Sequence, residues 1–133
     1  MLLALLVIFE ERKHSLFVPH ALLATGISFV LTELVIKNIF GRIRPLSLYT
    51  SFFTACPSSF SFPSGHATIA FASATVFSYY DKRRIVFYYI LATCIAFSRL
   101  YLGCHYLSDL LVGALLGFFV AKTVLNFSFR ARR

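Results

Sequence analysis

The sequence predicts an all-α, integral-membrane helical bundle with four full spans and a partial helix at the N-terminus. Three observations carry that prediction. Of 133 residues, 59% are hydrophobic and 14% charged, against roughly 25% charged in an ordinary soluble domain, and mean hydropathy is +0.79. The apolar residues gather into runs near the ~20 residues that cross a bilayer. Basic clusters flank those runs, as the positive-inside rule expects of cytoplasmic ends. Residues 1–133 make a single membrane domain, because the length leaves no room for a soluble core beside a membrane anchor.

Residues 2–9 are apolar but far short of the ~20 needed to span. No basic stretch precedes them and no small-residue cleavage site follows, which argues against a signal peptide. They read as the tail of a helix whose beginning lies outside this sequence. Residues 10–14 form a polar turn, and residues 16–36 an apolar run of spanning length that ends at Lys37. Residues 38–63 form a connection rich in Ser, Phe and Pro. A connection that long without periodicity is functional or disordered. Its aromatics, among them Tyr49, Phe52 and Phe60, favour an interfacial or lid-like segment.

Residues 65–80 read as the next helix, with Ala67, Ala70, Ala72, Ser73 and Ala74 suited to close helix contact. The turn Asp81-Lys82-Arg83-Arg84 follows, and residues 85–102 cross back. A tight turn at Gly103-Cys104 leads into the last helix, about 105–127, which carries the packing motif Gly113-x-x-x-Gly117.

The net charge of +8 could suit nucleic acid, but its positions exclude that partner. Lys82, Arg83 and Arg84 form one cluster, and Arg130, Arg132 and Arg133 another, each flanking an apolar span. Apart from Lys37, Arg42, Arg44 and Arg99, all nine remaining Lys and Arg fall on or near one membrane face. Lys37, Arg44, His66, Arg99, His105 and Asp109 fall on the other. A site built from them is expected to face away from the cytoplasm. Cys56, Cys94 and Cys104 lack metal-ligand spacing, so no metal site is expected. Cys94 reads as a small buried hydrophobe. A Cys56–Cys104 disulfide stays open, since sequence cannot show proximity.

Three short motifs carry the chemistry. His105 and Asp109 are four residues apart on a predicted helix and share one face. A carboxylate that accepts from one imidazole nitrogen fixes the tautomer and leaves the other nitrogen as a nucleophile. A helix-surface ion pair is the plain alternative. Pro63-Ser64-Gly65-His66 precedes an apolar helix, and its glycine lets backbone N–H groups approach an anion. His66, just inside, suits a general acid; alone, the motif would be only a helix cap. Lys37, Arg44 and Arg99 come from separate segments and suit phosphate oxygens. Their alternative is interfacial snorkelling, which is all that is expected of Arg42. Glu33 is expected to pair with Lys37, and His14 and His20, on the opposite face, to be structural or interfacial.

The joint pattern K-x6-R-P, P-S-G-H and S-R-x5-H-x3-D resembles the signature of the type 2 phosphatidic acid phosphatase family, relatives of the vanadium haloperoxidases. Lys37, Arg44 and Pro45, then Pro63 to His66, then Ser98, Arg99, His105 and Asp109 fill every position, over about residues 16–127. The resemblance implies that His105 attacks phosphorus to form a phosphohistidine, that Asp109 orients it, and that His66 protonates the leaving group. It implies that Lys37, Arg44, Arg99, Ser64 and the Gly65 amide hold the phosphoryl oxygens. Water then hydrolyses the intermediate, with no metal or other cofactor. Membrane members typically have six spans, so N-terminal helices are expected to be missing here.

The implied function is a lipid phosphatase in a bacterial plasma membrane, with its site on the extracytoplasmic face. The partners are membrane lipids and a phosphorylated lipid substrate: undecaprenyl diphosphate, phosphatidate or phosphatidylglycerophosphate. The sequence does not choose among these, nor does it fix the oligomeric state. A haloperoxidase is disfavoured because those relatives are soluble. The alternative from another class is a non-catalytic membrane protein that binds or transports phosphorylated lipid. The complete His/His/Asp set disfavours it, since a binder needs only the cations.

Overall fold

A computed structural model describes residues 14–45 and 56–130, with side chains as far as residue 127. The described residues form an all-helical bundle in which each long helix reverses the direction of the one before. Helix α1 (Phe17–Phe29) runs unbroken through a π-helical stretch (Val30–Ile36) into α2 (Lys37–Phe40), making one rod. Gly41 stops it in the left-handed region at φ 55°, donating its N–H to Lys37 O at 3.0 Å. That is the usual glycine C-cap.

Helix α3 (Gly65–Tyr80) starts at Ser64, whose hydroxyl accepts the Ala67 N–H. The Phe62–Pro63 peptide just before it is cis. Asp81 then opens a 3-10 turn (Lys82–Arg84) by accepting the Arg83 N–H at 3.1 Å. Helix α4 (Ile85–Tyr101) crosses back, and Gly103 at φ 68° makes the turn into α5 (Leu107–Arg130).

Among the described residues, three stretches are long and apolar enough to cross a membrane: Phe17–Phe40, Lys82–Tyr101 and Leu107–Phe127. The fourth expected span, α3, has 16 residues, or about 24 Å at 1.5 Å per residue. It is thus shorter than a ~30 Å hydrocarbon core requires. Helix α3 is instead the central post, touching α1, α4 and α5. The expected partial helix at residues 2–9 lies outside the described residues.

The core is thin and made of small side chains. Ala24, Ala72, Val76 and Ala121 pack with Phe17, while Leu22, Leu23, Ile90, Phe97 and Phe119 point outward. Outward apolar side chains are what a bilayer solvates, so helices here associate by close fit rather than by hiding oil from water. The Gly-x-x-x-Gly motif does that work between α3 and α5. A Cβ on Gly117 would come within 2.9 Å of Thr68 C and 3.0 Å of Ala72 N. Cys94 departs from expectation: it is free and exposed on the outer surface of the bundle. His20 is structural as expected, with Nδ1 2.6 Å from the Tyr80 hydroxyl.

Candidate active site

The alternation of helix directions gathers the three motifs at one end of the bundle. Lys37 closes the first rod, Ser64 and Gly65 open α3, Arg99 lies in the last turn of α4, and His105 and Asp109 stand at the start of α5. The basic turn Lys82–Arg84 lies at the opposite end. Two short backbone segments complete the site. Residues 41–45 run beside 59–61, tied by the Ser61 N–H to Arg42 O at 2.7 Å.

Lys37 is buried and donates to both Glu33 oxygens, at 2.7 and 2.9 Å, and to Ser59 Oγ at 3.1 Å. The expected Glu33–Lys37 pair is therefore formed, and it gives the buried ammonium a counter-charge. Glu33 lies directly against Gly65, where any side chain would collide with its carboxylate. Arg44 is also buried. Its guanidinium donates to Ser59 O at 2.8 Å, Ser59 Oγ at 3.2 Å, Phe60 O at 3.3 Å and Cys104 O at 3.0 Å.

Arg44 Nη1 also donates to His105 Nε2 at 2.9 Å. A guanidinium can only donate, so Nε2 carries a lone pair and Nδ1 carries the hydrogen. That is the tautomer a nucleophilic Nε2 requires. His105 is 3% exposed. Burial, reinforced by the Arg44 guanidinium, lowers its imidazole to about 4. Neutral imidazole is thus the working form at any ordinary pH.

Asp109 is fully buried, and its Oδ2 lies 3.5 Å from His105 Nδ1. That oxygen also accepts the Ser61 hydroxyl and the Tyr106 N–H, the latter at 3.0 Å. The second of these is a capping bond from the third helical position back to the cap residue. It explains why α5 begins at Leu107 and not at 105, as the sequence suggested. His105 precedes the helix, yet the cap holds it beside Asp109.

Ser64 is buried, with its hydroxyl at the α3 cap and its N–H on Asp109 O at 3.0 Å. His66, one residue into α3, is exposed. It lies within electrostatic reach of Arg99, Lys37, Glu33 and Arg44. Arg99 Nε is buried and has no hydrogen-bond partner among the described residues, so this donor is left without an acceptor there. From His66 a cavity of about 480 Å³ runs down α3 between α1 and α4, lined by Phe29, Ile69, Ala70, Phe77, Leu91 and Ile95 among others. Its walls are almost wholly apolar.

Sequence reasoning missed three contributors. Ser59 joins Lys37 to Arg44, and Ser61 stands between Asp109 and His105, with its Oγ 3.5 Å from Nδ1. Arg42 does more than snorkel: it pairs with Asp109 Oδ1 at 2.8 Å. Cys56 and Cys104, whose pairing the sequence left open, form a disulfide with Cα atoms 5.6 Å apart, fastening the long connection beside His105. Arg42 and Arg44 lie two apart on an irregular segment, and the cysteines flank the motifs. Those were the available signals.

Comparison with known proteins gives an independent view. A family model described as the PAP2 superfamily matches residues 17–133. An undecaprenyl-diphosphatase of Sulfolobus acidocaldarius is 32% identical over 122 residues, covering 89% of this chain and 57% of that protein. Phosphatidylglycerophosphatase B of Bacillus subtilis is 37% identical over 87 residues, covering 57% of this chain and 43% of that protein. The chain therefore spans about half the length of these curated relatives. The crystal structure of Aquifex aeolicus LpxE superposes with a TM-score of 0.77 at 33% identity, covering 94% of this chain and 76% of that one.

Proposed function

This chain belongs to the PAP2 superfamily, and from that premise we propose that it is a membrane lipid phosphatase that works through a phosphohistidine on His105, without a metal. The observation that carries the reading is the contact between His105 and Arg44. The nitrogen that would attack and a cation that would hold the phosphoryl group are 2.9 Å apart.

In the first step His105 Nε2 attacks phosphorus in line with the leaving oxygen. The N–P bond forms as the P–O bond to the leaving group breaks. His66 gives the leaving oxygen a proton, so an alcohol or a phosphate departs. Arg44 turns from Nε2 to a phosphoryl oxygen, and Lys37, Arg99, Ser64 and the Gly65 N–H take the remaining charge. Water then attacks the phosphohistidine and His66 accepts its proton, releasing inorganic phosphate and restoring Nε2. Asp109 keeps the hydrogen on Nδ1 throughout.

The apolar cavity beside His66 supports a lipid as the substrate, since a water-soluble phosphate ester would gain nothing from it. The undecaprenyl-diphosphatase and phosphatidylglycerophosphatase relatives favour undecaprenyl diphosphate and phosphatidylglycerophosphate, with phosphatidate as the third candidate. The site is proposed to face the extracytoplasmic side of a bacterial plasma membrane. The Cys56–Cys104 bond supports that side, because disulfides persist in oxidising compartments.

The test is phosphate release from each of the three lipids by protein in detergent micelles with EDTA present. The expected result is turnover of at least one of them, inhibited by vanadate. Tight binding with no release from any would favour the carrier reading instead.

A further inference from the structure

We propose that Arg42 is a positioning residue for the reaction, acting through Asp109 to hold His105 in its attacking tautomer. The inference rests on the phosphatase reading above.

The two oxygens of Asp109 have divided duties. Oδ1 accepts from Arg42 Nη1 at 2.8 Å. Oδ2 accepts from Ser61 and from the Tyr106 N–H, and it is the oxygen that faces His105 Nδ1. Donors on both oxygens fix the rotation of the carboxylate. Without Arg42 the carboxylate can turn about its Cβ–Cγ bond and carry Oδ2 away from Nδ1. The imidazole then samples both tautomers, and one of them places hydrogen on the attacking nitrogen.

Arg42 is itself held firmly, although its side chain is 39% exposed. Nη1 also donates to Ser108 Oγ at 2.7 Å, and the guanidinium lies over the Tyr106 ring, 4.0 Å from its centroid. Stacking and bonding of this kind use arginine's planar fork. The geometry also separates Arg42 from the phosphate-holding cations. Its partner faces Nδ1, whereas Arg44 faces Nε2 on the other side of the imidazole. Arg42 therefore stands behind the nucleophile.

The experiment is a mutant cycle on the lipid that the wild type hydrolyses fastest, using Arg42→Ala, Arg42→Lys, Asp109→Asn and the Arg42→Ala/Asp109→Asn double variant. Arg42→Ala is expected to lower kcat about 10- to 100-fold, the range for outer partners that orient metal-bound histidines. KM and the vanadate inhibition constant should change less than about threefold, since ground-state contacts are intact. Arg42→Lys should recover part of the rate. The double variant should be no slower than Asp109→Asn alone, because the two residues act in series.

A separate readout needs no turnover: the His105 ring nitrogens, followed by NMR, should show one Nδ1–H tautomer in the wild type and an average of both in Arg42→Ala. Wild-type kcat in Arg42→Ala would overturn the proposal, as would multiplying effects in the double variant. A loss confined to KM and vanadate affinity would make Arg42 a phosphate contact and overturn it too. Should Arg42→Ala fail to fold, Arg42→Gln enters the same cycle. If the wild type releases no phosphate from any lipid, the phosphatase reading fails; an unchanged tautomer in the variant then sinks the positioning role separately.

Discussion

His105 is kept neutral by its surroundings, not by a nearby base. Its folded value of about 4 lies below the ordinary 6.5 because burial disfavours the imidazolium and Arg44 repels it. Between those two values the unfolded chain binds a proton that the folded chain does not, so this residue's stabilising contribution is lost as pH falls from 6.5 towards 4. Above that window the contribution is complete. The corresponding prediction is spectroscopic: at pH 5.5 the His105 ring nitrogens should still report a neutral imidazole, and a midpoint near 6.5 would contradict it. Arg99 supports a second prediction. Its buried Nε finds no acceptor in the described protein, and a charge-assisted bond to a phosphoryl oxygen would satisfy it. Arg99→Ala should lower kcat/KM roughly 10- to 100-fold, matching the ~1.5–3 kcal/mol of such a bond. An unchanged kcat/KM would remove Arg99 from the site.

At the scale of elements, the close approach of α3 and α5 fixes where Ser64 meets Asp109. Gly113 lies where a Cβ would come within 2.7 Å of Ser64 O, and Gly117 faces the α3 backbone one turn further on. Gly117→Val should cost about 1–3 kcal/mol by overpacking, read as a lower thermal unfolding midpoint in detergent. An unshifted midpoint would mean the helices do not touch there. Helix order and the gathering of the polar residues at one end of the bundle were legible because apolar run length and charged ends are one-dimensional signals. Lys37, Arg44, His105 and Asp109 do converge, and Ser64, Gly65, His66 and Arg99 come from the same helix ends. The π-helical stretch at Val30–Ile36 was not legible, because apolar periodicity does not report which carbonyl each N–H selects. Ser59, Ser61 and Arg42 were missed for a related reason: their partners lie far along the chain, and residues in irregular backbone carry no period to aim them.

For the whole molecule, the site, the disulfide and the basic turn make a sided object. Lys82, Arg83 and Arg84 stand at one end and the Cys56–Cys104 bond at the other. Positive-inside bias and oxidising chemistry favour the same orientation. Right-side-out vesicles should therefore hydrolyse an impermeant lipid phosphate added outside, and hydrolysis only after permeabilisation would reverse the topology. The disulfide closes a 48-residue separation; reducing it should destabilise the fold by about 2–4 kcal/mol, measurable as a fall in unfolding midpoint on adding reductant. The most direct measurement of all is the turnover of a phosphorylated lipid by His105→Ala beside wild type, in EDTA. Loss of kcat on the order of 10⁴-fold or more is expected when a nucleophile is removed. Turnover at the wild-type rate would show that His105 is not the group that attacks phosphorus.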